Sequence, residues 1–224
     1  MTSYDILGQT VTMPVLVRDA SAGTVIFDVD HAAAQALSPF PVVESAPGRA
    51  QVAFALVDYR DNDLGAYHEV GIIFFVQPEG QEPGNYIRHL PVDQAFTNAA
   101  GNQIWGFPKT VQQIDVEQSD NTSRWILTMD GELVLDVTVP RGGTDEMPPL
   151  PMTSYTIKDG QPHATKFTQG GTGSGMWFGE GITFVLGTHP IAKELESLGL
   201  PEAPVVLSTW LENMQATFED ALPI

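Results

Sequence analysis

Short runs of β-branched or alternating apolar residues, broken by Gly, Pro and Asp, make up most of the chain. A spacing of two between apolar positions predicts strands over residues 13–18, 24–29, 51–59, 67–76, 86–89 and 111–117. The same pattern predicts further strands over 125–129, 133–139, 153–158, 163–168, 177–186 and 205–211. Asp130-Gly131 and Asp159-Gly160 stand between alternating runs, where such pairs supply the left-handed conformations of two-residue hairpin turns. Helical segments are few: residues 31–37 behind a capping Asp30, residues 92–100, and residues 190–198 with Pro190 in the first turn. Residues 141–151 (RGGTDEMPPLP) read as a loop inside one unit covering 1–224, because strand-like sequence lies on both sides. The fold class is therefore mainly β with minor helices. Many closely spaced strands favour a barrel or sandwich, since closure removes exposed edges.

Composition narrows the functions. With 42% apolar residues in 224, the chain can fill one sizeable core. No run approaches the ~18 apolar residues of a membrane-spanning helix. The N-terminal MTSYDILGQT carries an acid and no base, unlike a secretory signal. Cysteine is absent, which removes disulfides, thiolate nucleophiles and cysteine-held metals and suits a cytoplasmic protein. Ten Lys and Arg against 28 Asp and Glu give a net charge of −18, which opposes nucleic acids and anionic membranes as partners.

Most candidate motifs fail on their own chemistry. His68-Glu69 opens like a zinc-protease helix, but Ile72 stands where the second histidine belongs, and no metal site is expected. Asp58, Asp61 and Asp63 lack the acid that closes a calcium loop and read as a solvated turn. The glycines of residues 170–175 precede no Gly-Lys-Ser/Thr, so they read as a flexible loop. The serines have no nucleophile-elbow context.

One segment differs. In Gly101-Asn102-Gln103-Ile104-Trp105-Gly106-Phe107-Pro108-Lys109, one of only four lysines follows an aromatic, glycine-spaced stretch at the end of an expected helix. Held among Ile104, Trp105 and Phe107, Lys109 would lose hydration, which lowers an amine's pKa and yields the neutral form that attacks carbonyls. The alternative is a lysine stem lying on apolar surface with its head in water. The residues alone leave both open.

This segment resembles the acetoacetate decarboxylase family, whose signature is Gly-Arg-Glu, three residues, then aromatic-Pro-Lys. Leu64-Gly65-Ala66-Tyr67-His68-Glu69 fits the family's Leu-Gly-x-Tyr-x-Glu, and the opening Met13-Pro14-Val15-Leu16-Val17-Arg18-Asp19 is in its style. The stretch from Tyr86 to Gly101, with Asp93, agrees in spacing, so the resemblance spans about residues 13–118.

What it implies is a closed, cone-like antiparallel β-barrel around a pocket, assembled as a homo-oligomer and needing no cofactor. Lys109 inherits the Schiff-base role and Glu69 an acid/base or polarising one. Strand alternation puts Tyr67 and Glu69 on one face, which suits an inward Glu69. Arg18 is the candidate for the family's carboxylate-binding arginine, and Tyr67, Gln103, Trp105, Phe107 and Phe54 complete the expected substrate-binding set. Departures are Thr110 in place of a second lysine, Asn102-Gln103 in place of Arg-Glu, and Phe54 near a pocket glutamate. With no second lysine, desolvation by Trp105 and Phe107 is expected to set the Lys109 pKa below the free value. The resemblance implies a Schiff-base lyase acting on a small or medium oxo-acid, with aldol, dehydration or decarboxylation chemistry. Two rivals remain: a non-catalytic small-molecule binding protein, and a cyclase or tautomerase without a covalent step. Trp177, Phe178, Trp210 and Phe218 in the C-terminal third can serve an interface as well as a core. The expected homo-oligomer should strengthen by light scattering as salt screens the net charge. A monomer at every salt concentration would overturn that expectation.

Overall fold

The computed structural model describes residues 2–224. A hairpin of β1 (Ser3–Ile6) and β2 (Gln9–Thr12) precedes the long strand β3 (Val15–Asp30) and helix α1 (His31–Ala36). Strands β4 (Glu44–Ala46), β5 (Arg49–Asn62), β6 (Tyr67–Val76) and β7 (Gly84–Val92) lead to helix α2 (Ala95–Ala100). That helix continues as a π-helical turn (Gly101–Trp105) and ends in the short strand β8 (Lys109–Val111). The remainder is β9 (Gln113–Gln118), β10 (Thr122–Met129), β11 (Glu132–Pro140), β12 (Asp145–Lys158) and β13 (Gln161–Trp177). β14 (Thr183–Leu186), helix α3 (Pro190–Ser197) and β15 (Val205–Pro223) complete it.

Strands β12, β13, β15, β3, β5, β6 and β7 pair antiparallel in that order. β7 then pairs with β12 and closes a seven-stranded barrel. An odd ring cannot alternate direction throughout, so one seam must be parallel. It is the β7–β12 seam, where Asn85 faces Ser154 and Tyr86 faces Tyr155. Farther along the same edge of β7, Leu90 to Val92 hold β8 in parallel. A second sheet, β14-β11-β10-β9, covers one outer wall of the barrel.

Alternation divides the apolar residues between two cores. Phe54, Leu56, Val70, Ile72 and Phe74 point outward and pack with Trp125, Leu127, Leu135 and Leu195 beneath the second sheet and α3. Val57, Tyr59, Tyr67, Ile87, Trp105 and Phe107 belong to the inner core. In β3 a register shift between Val17 and Ala20 changes which parity faces inward: Val15 and Val17 precede it, Ala20 and Ala22 follow it. That bulge hides one strand as two in the sequence pattern: β3 begins at Val15, two residues later than expected, and takes in the rest of 13–18 and all of 24–29.

Other expectations change for physical reasons. The expected strand over 111–117 is two pieces, β8 on the barrel and β9 in the second sheet, separated by Gln112. The run over 177–186 breaks after Trp177 and resumes as β14. From Asp145 onward the presumed loop at 141–151 is strand β12, and the glycines of 170–175 lie inside β13. Glycine is needed there for contact: a Cβ on Gly170 would press on Met147 and Pro149, and one on Gly171 on Asn213 of β15. Asp58 and Asp61 lie in β5 and not in a turn. Residue 92 still belongs to β7, so α2 begins only at Ala95. Asp130-Gly131 and Asp159-Gly160 do form left-handed turns, with φ of 53° and 80° and of 52° and 74°. A third such turn, at Leu7-Gly8, gives no sequence signal because leucine is a poor left-handed residue. No described helix is long and apolar enough to cross a membrane.

Closure makes the seam a sensitive place. A Cβ on Gly84 would stand 2.5 Å from the Thr153 carbonyl oxygen and 2.7 Å from the Tyr155 ring. Gly84→Val should cost about 1–3 kcal/mol, as overpacking does, and lower the urea midpoint. An unchanged midpoint would show that the seam yields freely.

Candidate active site

All seven barrel strands contribute to a single interior cavity of about 110 Å³. Its walls are mostly apolar, with Trp105 stacked on Phe107 at 5.4 Å and Phe167 on Phe218 at 5.0 Å. Into this space the chain brings Lys109 and Glu69.

Local sequence explains how Lys109 gets there. Asp93 accepts from the His68 backbone N–H at 2.8 Å and lies 2.7 Å from the His68 Nδ1, which ties the start of α2 to β6. Gln94 caps the helix, accepting from the Thr97 N–H at 2.6 Å and donating to the Leu64 carbonyl at 2.9 Å. The π-helical turn then takes up an extra residue, and Gly106, left-handed at φ 69°, ends it. The Asn102 side chain donates to the Lys109 carbonyl at 3.0 Å, and β8 pairs Lys109 with Leu90. Gly101 clears the path of the lysine stem: a Cβ there would lie 2.5 Å from the Lys109 Cδ.

The Lys109 side chain is 3% exposed. Its Nζ lies 2.8 Å from Glu69 Oε2 and donates to the Thr97 hydroxyl at 2.8 Å and to the Tyr67 hydroxyl at 3.2 Å. The three partners use all three ammonium protons. The Nζ also sits 4.7 Å from the centroid of the Tyr67 ring. Tyr59 donates to Glu69 Oε1 at 3.3 Å and stacks on Tyr67 at 4.4 Å. Burial, and then the Glu69 carboxylate, push the Tyr59 hydroxyl well above its ordinary value. Burial also raises Tyr67.

Lys109 reverses the expectation from sequence. Burial does press its pKa down, but Glu69 and Tyr67 together outweigh it, so the amine is held above its ordinary 10.5. The sequence identifies the apolar neighbours and the carboxylate separately, and only the fold places the carboxylate in contact.

Of the expected site residues, Lys109, Glu69, Tyr67, Trp105 and Phe107 come together around the cavity. Three do not. Arg18 turns away from the barrel interior, and its guanidinium is taken by Asp61 at 2.8 Å and Asp63 at 2.6 Å. Gln103 is exposed on the π-helical turn. Phe54 faces the outer core against Phe27 and Phe184, while its neighbour Ala55 lines the cavity; a shift of one residue in a strand exchanges faces. Tyr59 and Thr97 are the contributors that the sequence reading misses. Tyr59 is reachable by alternation from Val57, whereas Thr97 depends on how α2 docks and leaves no local signal. Among the described residues no group of three or more His, Cys, Asp and Glu side chains could hold a metal.

The acetoacetate decarboxylase family model matches residues 7–216, so the chain belongs to that family. The fold is similar to that of acetoacetate decarboxylase from Legionella pneumophila, with a TM-score of 0.71, 20% identity, and coverage of 94% of this chain and 87% of that one. It is similar to an acetoacetate decarboxylase-like enzyme from Sphingomonas wittichii, with a TM-score of 0.60, 14% identity, and 97% and 96% coverage. It also resembles the enduracididine biosynthesis enzyme MppR, complexed with the condensation product of pyruvate and imidazole 4-carboxaldehyde, with a TM-score of 0.55, 17% identity, and 95% and 90% coverage. Among curated proteins the sequence has no significant match.

The ion pair sets a pH dependence with a definite sign. A raised lysine contributes stability that is present below about 10.5 and is lost as pH rises through the folded-state value. Glu69→Gln removes the main upward influence and leaves desolvation, so Lys109 should titrate below its wild-type value. Labelling by an amine-reactive reagent across pH, read by peptide mass, checks this; an unchanged profile would mean that Glu69 does not govern the amine.

Proposed function

We propose that this protein is a Schiff-base enzyme in which Lys109 condenses with the carbonyl group of a small molecule. The observation that carries the reading is a buried lysine amine 2.8 Å from a carboxylate inside an apolar cavity. The fold, the family and the small cavity support it.

Glu69 is placed to manage protons. It takes one from the Lys109 ammonium, which frees the lone pair on Nζ to bond the carbonyl carbon while the C=O π pair moves to oxygen. The oxygen picks up the second ammonium-derived proton, giving a carbinolamine. Glu69 then returns its proton to that hydroxyl, which departs as water as the nitrogen lone pair forms the C=N bond. Net charge is unchanged, since an ammonium becomes an iminium. The iminium draws electrons from the neighbouring carbon and stabilises a carbanion there, which serves aldol, dehydration or decarboxylation chemistry alike. Tyr67, still protonated, can donate to a substrate oxygen, and Tyr59 holds Glu69 in place.

One observation favours a second reading, a non-catalytic binding pocket: the resting Lys109 is already an ion-paired ammonium with all its protons engaged. Borohydride separates the two. Incubation with methyl pyruvate or with acetone, each plus borohydride, should add one reduced adduct, mapped to Lys109 and lost in Lys109→Met. Absence of any adduct, or adducts spread over Lys158, Lys166 and Lys193, would leave the binding reading standing.

A further inference from the structure

The cavity is electrically closed. Its lining contains one carboxylate, Glu69, and among the described residues one cation, Lys109. The two tyrosines stay neutral, because burial pushes their hydroxyls up. The arginine that the resemblance offers for a substrate carboxylate, Arg18, is outside and held by two aspartates, and no arginine lines the cavity among the described residues. Lys158, the lysine beside the π-helical turn, is committed to the Ile104 carbonyl at 3.0 Å and does not line the cavity.

An oxo-acid would therefore bring a third charge into an apolar barrel that holds one balanced pair. Condensation gives no relief, because the iminium keeps the single positive charge of the ammonium and Glu69 keeps its negative one. A buried ion without a partner is disfavoured strongly. Of the remaining polar groups, Asn62 is committed to the Gly65 carbonyl and the Leu64 N–H, and the others suit a different occupant. Asn85 and Ser154 face each other across the β7–β12 seam, and Gln169 stands on β13; all three line the cavity. These are uncharged donors and acceptors, fit for a hydroxyl or a second carbonyl.

We propose that the site selects uncharged carbonyl compounds, an aldehyde or ketone with a further hydroxyl or carbonyl group, and rejects 2- and 3-oxo-acids. This rests on the Schiff-base reading and narrows it: with no carboxylate to lose, the iminium serves carbon–carbon bond formation or cleavage, or loss of water, and not decarboxylation. The atoms balance as in the condensation above, carbonyl oxygen leaving as water.

Matched pairs test the charge alone. Trapping rates at Lys109 would be measured by intact and peptide mass for methyl pyruvate against pyruvate and for methyl acetoacetate against acetoacetate. Each rate is divided by that of free Nα-acetyl-lysine, whose ε-amine is unblocked, with the same probe, which removes differences in intrinsic reactivity. The normalised rate should favour the ester of each pair by about tenfold or more. In Gln169→Arg, which adds a cation to the wall, the preference should shrink or reverse. Acids trapped as fast as esters in the wild type would overturn the selectivity while leaving the Schiff base intact. If no probe is trapped, the Schiff base itself fails and this proposal falls with it.

Discussion

A charged pair buried in an apolar barrel is stable only while both members are held at hydrogen-bond distance. Either one alone would be an unpaired ion in a place without water. Much of the surrounding structure serves that constraint. Glu69 is fixed by β6 between its neighbours and by the Tyr59 hydroxyl, and Lys109 is fixed by Asn102, Thr97 and the pairing of β8 on β7. The His68–Asp93 contact links the two supports, since it joins the residue before Glu69 to the residue before the cap of α2. On the Schiff-base reading, the pairing keeps the amine within one proton transfer of its nucleophilic form.

The barrel and the site also share an edge. One side of β7 holds β12 at residues 85 and 86 and β8 at residues 90 to 92. Closing the ring and delivering the lysine are thus successive jobs of a single strand, and Gly84 at its start lets the neighbouring chain come close.

The strands that form one face of a sheet were legible because burial imposes a period of two on them. Tyr67 and Glu69 could be placed side by side on that ground, and the turns at Asp130-Gly131 and Asp159-Gly160 followed from left-handed preference. Bulges were not legible. The shift after Val17 reverses the parity of β3, and it leaves in the sequence only a gap that reads as two strands. Glycines in β13 looked like a mobile loop because the crowding that requires them comes from strands far along the chain. The site divides in the same way. Lys109 and Glu69 belong to recognisable segments, yet the sign of the lysine's shift depends on a contact between residues forty apart, and Thr97 enters only through helix docking. Arg18 and Phe54 fail through facing, which a one-residue offset decides.

The π-helical turn carries one residue more than an α-helix would use for the same advance. That residue sets the angular phase at which the chain leaves the helix, and each residue of an α-helix turns the path by about 100°. Shortening Gly101–Trp105 by one would leave an ordinary helix pointing its exit at a different quarter of the barrel, with Lys109 carried around with it. The length of the segment therefore places Lys109 as much as its side chains do, Gly101 by clearing the lysine stem and Asn102 by holding its carbonyl. Across relatives, insertions and deletions should be absent between the cap of α2 and the lysine even where identity is low.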